Sequence, residues 1–194
     1  MVISSKLLSK VKNMSLFFTA DLHFGHENIL GFCKDTRCNC ENIEEMNQLL
    51  INNWNQQVKD DDTVYILGDF SFLKTEMTIE IIKQLNGKKH LIKGNHDKWA
   101  KDESLIEKYF ESISDYKEIY FNKKLIVLFH YPIVEWRNMH YGSWHLFGHV
   151  HGKGNYEGKC LDIGIDALPT KDCKLWSLED VEIYMNDKPI IKHF

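Results

Sequence analysis

What this 194-residue sequence lacks narrows its reading first. No apolar run approaches the ~20 residues that a membrane-crossing helix needs. Its start, Met1 to Asn13, carries Lys6, Lys10 and Lys12 but no continuous apolar segment and no small-residue cleavage site. An export signal is therefore not expected, and the cytoplasm is the expected location. Long basic blocks are missing too, and the formal net charge is −4 at pH 7. Tight binding to duplex nucleic acid rests on many Lys/Arg–phosphate contacts and is not expected here; bound cations would reverse the sign of the charge locally. Arginine is scarce: Arg37 and Arg137 are the two arginines among 24 Lys and Arg residues. The cysteines do not pair off. Cys33, Cys38, Cys40, Cys160 and Cys173 make an odd count of five, which reads as reduced thiols and not as a disulfide framework. Cys38-Asn39-Cys40 with Cys33 offers a small zinc site, but no second pair stands at finger spacing.

What is present is ordinary for a soluble chain: 43% hydrophobic and 27% charged residues, enough to bury one core. No linker, repeat or low-complexity segment divides it. Residues 15–194 read as one domain, and 1–14 as an extension before its first strand.

Hydrophobic periodicity predicts alternating elements in the first half. Ser15 to Ala20 is an apolar strand. Glu41 to Val58 is the longest helix, with Ile43, Met46, Leu49, Leu50, Trp54 and Val58 on one face. Thr63 to Leu67 is a second strand, and Thr75 to Leu85 a helix stopped by Asn86-Gly87. His90 to Ile92 is a third strand, followed by a helix from about Lys98 to Tyr109. The second half is strand-rich. Tyr116 to Phe121 and Lys124 to Phe129 flank a hairpin turn at Asn122-Lys123. Trp144 to Phe147 and Cys160 to Ile165 follow, and Ser177-x-x-Asp180 is placed to cap a last helix. Two packed sheets are expected, the first partly parallel and the second more antiparallel, with helices outside.

Five times a predicted strand runs out into a metal-capable residue: Asp21 and His23, Asp69, Asn95 with His96, His130, and His149 with His151. Ligands at the carboxyl ends of strands converge on one crevice in an open α/β architecture. Glycines at 25, 68, 94 and 148 let the backbone turn and approach closely.

The ordered pattern Asp21-x-His23, Gly68-Asp69, Gly94-Asn95-His96-Asp97, His130 and Gly148-His149-x-His151 resembles the calcineurin-like metallophosphoesterase family. The resemblance spans roughly residues 15–166, and Asp21-x-His23-Phe24-Gly25-His26 is similar to a branch of small bacterial and phage members. It implies an α/β fold, a four-layer α/β/β/α sandwich of two mixed sheets flanked by helices. It also implies two divalent metals. Asp21, His23 and His151 would hold the first, Asn95, His130 and His149 the second, with Asp69 bridging. A metal-bridging hydroxide would attack phosphorus, and His96 would act as general acid on the leaving oxygen. Asp97 would orient His96 or cap the following helix. One departure stands out: many members carry a second Asp three residues after Asp69 to support the catalytic histidine, and Phe72 stands there instead.

Imidazole and carboxylate ligands suit Mn, Fe, Zn or Ni, with Mn the ion expected to work in vitro. His26, Arg37 and Arg137 are the substrate-binding candidates, the arginines because a planar guanidinium fits phosphate oxygens. Asp162 and Asp166 are placed to support a histidine ligand. Only 33 residues lie between His96 and His130, and 18 between His130 and His149, so no cap domain is expected. An open groove admits a second substituent on phosphorus, favouring a phosphodiesterase of broad or nucleotide-like specificity. The alternatives are a phosphomonoesterase and, from another class, a non-catalytic binding scaffold on the same fold. The scaffold reading is disfavoured because every ligand position and His96 are present.

Overall fold

The first strand shows how the chain divides its core. In β1 (Leu16–Thr19) Phe17 and Phe18 point to opposite faces, as alternate strand residues must. Phe17 joins a cluster with α2 (Ile43–Gln57) and α3 (Thr75–Ile82). Phe18 joins a second cluster shared with strands of the other sheet. The structure, a computed structural model, describes residues 14–37 and 40–192. The expected extension therefore lies, except for Met14, outside the described residues.

Beside β1 run β2 (Thr63–Leu67), β3 (Lys88–Ile92) and β4 (Ser112–Ser114), all parallel. On its other side β9 (Trp176–Ser177) pairs antiparallel, giving the order β4-β3-β2-β1-β9. The second sheet has the order β5-β6-β7-β8, from β5 (Tyr116–Phe121), β6 (Lys124–Phe129), β7 (Trp144–Phe147) and β8 (Cys160–Asp162). Only its β5–β6 hairpin is antiparallel; β6–β7 and β7–β8 are parallel. The expected antiparallel character is thus confined to the hairpin. Residues 130–143 are long enough to cross over and return β7 in the same direction as β6.

The two sheets pack through Phe18, Leu67 and Ile92 on one side and Ile126, Leu128 and Leu146 on the other, each fully buried. The outermost layer, beyond the second sheet, is thin. Trp136, Met139 and Tyr156 from loops and one 3₁₀ turn cover Val127 and Phe147 there. The last helix, α4 (Leu178–Asp187), packs instead into the inter-sheet cluster through Leu178, Val181 and Met185.

Local chemistry explains most boundaries. The Asn42 side chain caps α2 by accepting from the Glu45 N–H at 2.8 Å, and the Glu45 carboxylate returns to the Glu41 N–H at 2.8 Å. Ile51 takes the fully inward place that periodicity gave to Leu49. The box at Ser177 and Asp180 forms in both directions, as expected. Asn122 and Lys123 adopt φ of 46° and 65°, the left-handed pair of a tight hairpin turn.

The helix expected from Lys98 to Tyr109 does not form. Three short 3₁₀ turns stand there, at Lys98–Ala100, Glu103–Leu105 and Glu107–Tyr109. Asp102 accepts bonds from the backbone and hydroxyl of Ser104, a local alternative that competes with helical continuation. Helix α1 (Ile29–Phe32) and strands β4 and β9 are among the short elements that periodicity does not mark.

Candidate metal centre

The ends of β1, β2, β3, β6 and β7 open onto one edge of the two packed sheets, and there the backbone is unusual. Asp21, His23, Asp69, His149 and His151 all adopt left-handed φ, between 51° and 72°. For residues with a Cβ this costs on the order of 1 kcal/mol each, and such strain gathers where function fixes geometry. Glycine is obligatory at two neighbours. A Cβ on Gly68, which has φ of 83°, would meet Gly94 backbone and His130 Nδ1 at 2.6 Å, and one on Gly94 would collide with the Asp69 carboxylate.

The structure brings the seven sequence-predicted ligands together. Donor atoms of Asp21, His23 and His151 lie within 4.8 Å of one another, and so do those of Asp69, His130 and His149. Asp69 touches both groups: its Oδ2 is 3.8 Å from His23 Nε2 and 3.5 Å from His130 Nε2. Asn95 Oδ1 sits 3.0 Å from His130 Nε2.

Partners on the far side of two rings set their tautomers. His130 Nδ1 lies 2.8 Å from the Leu67 carbonyl, and His151 Nδ1 lies 2.7 Å from Asp166 Oδ2. Each ring donates from Nδ1 and leaves Nε2 to the centre. Among the described residues, the Nε2 of His23 is buried with no hydrogen-bond partner. An orphaned buried nitrogen beside carboxylates is what a cation site leaves when only protein atoms are counted.

The electrostatics agree with this. Burial pushes the Asp21 carboxyl up to about 7, against the pull of His151 and His130. Burial, reinforced by Arg37, drives His23 down to about 2, so it is neutral, the form that ligates. Burial opposes charge on His151 as well, but Asp166, Cys33 and Asp21 outweigh it and carry it to about 10. Asp69 ends below its ordinary value, because bonds from His130 and His96 overcome its burial. Protons at His151 and Asp21 stand where divalent ions would compete with them.

Several expected roles change. Arg37 is not at the substrate face: it is 1% exposed. Its guanidinium donates to Asp166 Oδ2 at 2.5 Å, to the Asp21 carbonyl at 2.8 Å and to the Leu22 carbonyl at 3.1 Å. It fixes the backbone of the first motif from behind. Arg137 pairs with Glu118 at 2.6 Å on the exposed side of the β5–β6 hairpin, and none of its contacts among the described residues is with the ligand cluster. Asp97 precedes only a 3₁₀ turn, Lys98–Ala100, and its side chain makes no cap bond to it. Its buried carboxylate accepts four N–H groups, from Asp69, Phe70, Gly94 and the Trp99 indole, and ties the loop after β2 to the loop after β3.

Asp166 supports His151 as its position suggested, and also receives Thr36 Oγ1. Asp162 instead clamps backbone, accepting from Gly152 and Gly164. Cys33 Sγ lies 3.7 Å from His151 Nδ1, on the side of the ring facing away from Nε2, while Cys40 packs against the core. Cys38 lies outside the described residues. His26 remains at the site: its Nδ1 is 3.0 Å from His23 Nδ1. His96 is exposed at the mouth, with its backbone N–H held by Asp69 Oδ1 at 2.9 Å. Sequence reasoning missed Phe72 and Tyr131, whose rings lie against site histidines. The aromatic character of both positions was the available signal.

Fold and site together define a two-sheet α/β scaffold with a candidate metal centre at its strand ends, its two donor groups meeting at Asp69. Residues 14–142 match the family model described as calcineurin-like phosphoesterase, and the chain belongs to that family. Its members carry out metal-dependent phosphoester hydrolysis. The chain is 30% identical over 169 residues to an uncharacterised protein of Methanocaldococcus jannaschii, covering 82% of this chain and 86% of that one. It is 38% identical over 84 residues to the gene 66 protein of Mycobacterium phage L5, covering 42% of this chain and 39% of that one. Among solved structures, a protein of unknown function from Aquifex aeolicus superposes with a TM-score of 0.68 at 28% identity, covering 89% of this chain and all of that one.

Proposed function

We propose that this chain is a two-metal phosphodiester hydrolase of broad or nucleotide-like specificity. The observation that carries the reading is Asp69, whose Oδ2 faces an orphaned His23 Nε2 on one side and His130 Nε2 on the other. Asp21, His23 and His151 would hold one ion, and Asn95, His130 and His149 the other, with Asp69 shared. Two such ions supply positive charge to the phosphate and make water a better nucleophile at neutral pH.

The chain's own residues do the rest. As a P–O bond from water forms, the P–O bond to the leaving group breaks. The leaving oxygen takes a proton from the His96 imidazole, and the proton released by water restores it. Exposure at the mouth suits this role, because substrate must reach that ring.

The diester preference is supported by a groove of about 540 Å³ beside Asn95, lined also by Lys93, Lys101, Asp115, Phe129 and Tyr131. It gives a second substituent a place to lie. Tyr131 is 37% exposed, with its ring centroid 4.7 Å from that of His149. Tyr131→Ala is expected to raise KM for nucleotide and aryl diesters about tenfold, the scale of one lost stacking contact, with little change in kcat. An unchanged KM would remove the groove from the substrate path.

The deciding experiment is metal removal and return, assayed on aryl monoesters and diesters in parallel. Chelation should abolish hydrolysis, Mn should restore it, and the diester should be turned over faster. The melting temperature should also rise on adding the ion, by the equivalent of about 2.7 kcal/mol at a hundredfold excess over Kd. No hydrolysis with Mn, Fe, Zn or Ni would sink the enzyme reading in favour of a binding scaffold.

A further inference from the structure

Phe72 sits where three imidazoles of the site meet. Its ring stacks on His26 at 3.9 Å between centroids and 7° between planes, on His96 at 4.6 Å and 29°, and on His23 at 4.9 Å and 24°. It is 37% exposed, although its chain neighbours Phe70 and Ser71 are fully buried. Its backbone N–H bonds the Phe24 carbonyl at 2.9 Å, so the ring is carried by a segment locked between the first two motifs. The His96 ring has the opposite character. Its backbone is fixed by Asp69, yet among the described residues no side chain hydrogen-bonds its imidazole. An exposed imidazole without a hydrogen-bonded partner rotates freely about its side-chain torsions unless something flat restrains it.

We propose that Phe72 is the positioning residue for His96, holding the imidazole by stacking so that its N–H meets the leaving oxygen. An aromatic face restrains the plane of the ring without accepting its proton, and leaves both nitrogens available. The parallel stack of His26 on Phe72 completes the layer. His26 thereby steadies Phe72, which explains a second histidine in the opening motif that no ligand group among the described residues requires. This assignment rests on the phosphoesterase reading above, but its geometry stands apart from it.

The test compares Phe72→Leu, Phe72→Tyr and the unmodified protein with Mn bound, on diesters that share one substituent and differ in leaving group. With an alkoxide-like leaving group, which must be protonated to depart, Phe72→Leu should lower kcat on the order of tenfold with KM nearly unchanged. With 4-nitrophenolate, which departs unprotonated, the loss should shrink to about twofold or less. Phe72→Tyr, which keeps the stacking face, should restore the slow substrate. A loss equal across leaving groups, a rise in KM alone, or departure of metal from Phe72→Leu would overturn the proposal. A second readout needs no activity. The His96 ring protons, assigned by their loss in His96→Gln, should be shifted upfield by the Phe72 ring, lose that shift in Phe72→Leu and keep it in Phe72→Tyr. If the unmodified protein hydrolyses no phosphoester, the functional reading fails, and these resonances alone decide whether Phe72 positions His96.

Discussion

Arg37→Met should cost about 3–5 kcal/mol of folding stability, read as a fall in denaturant midpoint at unchanged slope. The side chain is buried together with Asp166, each 1% exposed, and methionine fills a similar volume. Methionine therefore leaves little cavity, but it removes the one cationic fork on a buried carboxylate, which keeps only His151 and Thr36, and the donors to two backbone carbonyls, those of Asp21 and Leu22. Asp166 stays low in pKa despite its burial because His151, Arg37 and Thr36 all favour its charged form. Once Arg37 is gone, the burial that opposes that charge loses one of its main counterweights. Lysine should rescue poorly, since a single ammonium cannot fork to Asp166 and two carbonyls at once. The double change Arg37→Met with Asp166→Asn should recover part of the loss by removing the stranded charge. The same double variant should bind metal about 10–100-fold more weakly, because His151 loses the carboxylate that sets its tautomer. An unfolding free energy within about 0.5 kcal/mol of the parent would show that Arg37 is not the brace behind the first motif.

Arg37 also marks the limit of what the sequence reveals. The ligands were legible because each follows an apolar strand and most adjoin a glycine, so pattern alone put them at strand ends. The long helix α2 was legible because its apolar face repeats over four turns. The path of the segment from Cys33 to Arg37 was not legible. Nothing in its composition says that it folds inward and inserts a guanidinium beneath Asp21 and Leu22. A scarce arginine in a loop near a phosphate site invites a phosphate role, and burial overrides that invitation. Asp97 was misread for a related reason. Its place after His96 and before a helix-like stretch offered two roles, orienting His96 or capping a helix, but four other N–H groups engage its carboxylate and only a 3₁₀ turn follows. The parallel pairing of β6 with β7 was hidden too, since local patterning carries strand identity but not strand direction. Phe72 was noticed only as a missing carboxylate, because ring stacking across residues 23, 26, 72 and 96 has no trace in linear spacing.

His96→Gln should lower kcat by about 10²–10⁴-fold on diesters with alkoxide-like leaving groups while the protein keeps its metal and its stability. Each half of that expectation follows from where the residue sits. Its imidazole is exposed and takes part in neither three-donor group of the centre, so glutamine removes no ligand. Its one tie to Asp69 runs through the backbone N–H, which glutamine keeps. Stability should therefore move by no more than about 0.5 kcal/mol, as for other surface changes. What glutamine cannot do is deliver a proton to a departing oxygen. The loss should then shrink steeply with 4-nitrophenolate, and the two leaving groups should separate by at least about tenfold in the variant. Full activity on the poor leaving group would exclude His96 as the acid and return attention to water in the groove. A loss accompanied by metal release would instead make His96 part of the centre. Against this series, the Phe72→Leu variant should show the same leaving-group bias at smaller amplitude. A residue that positions the acid can lose at most what the acid contributes.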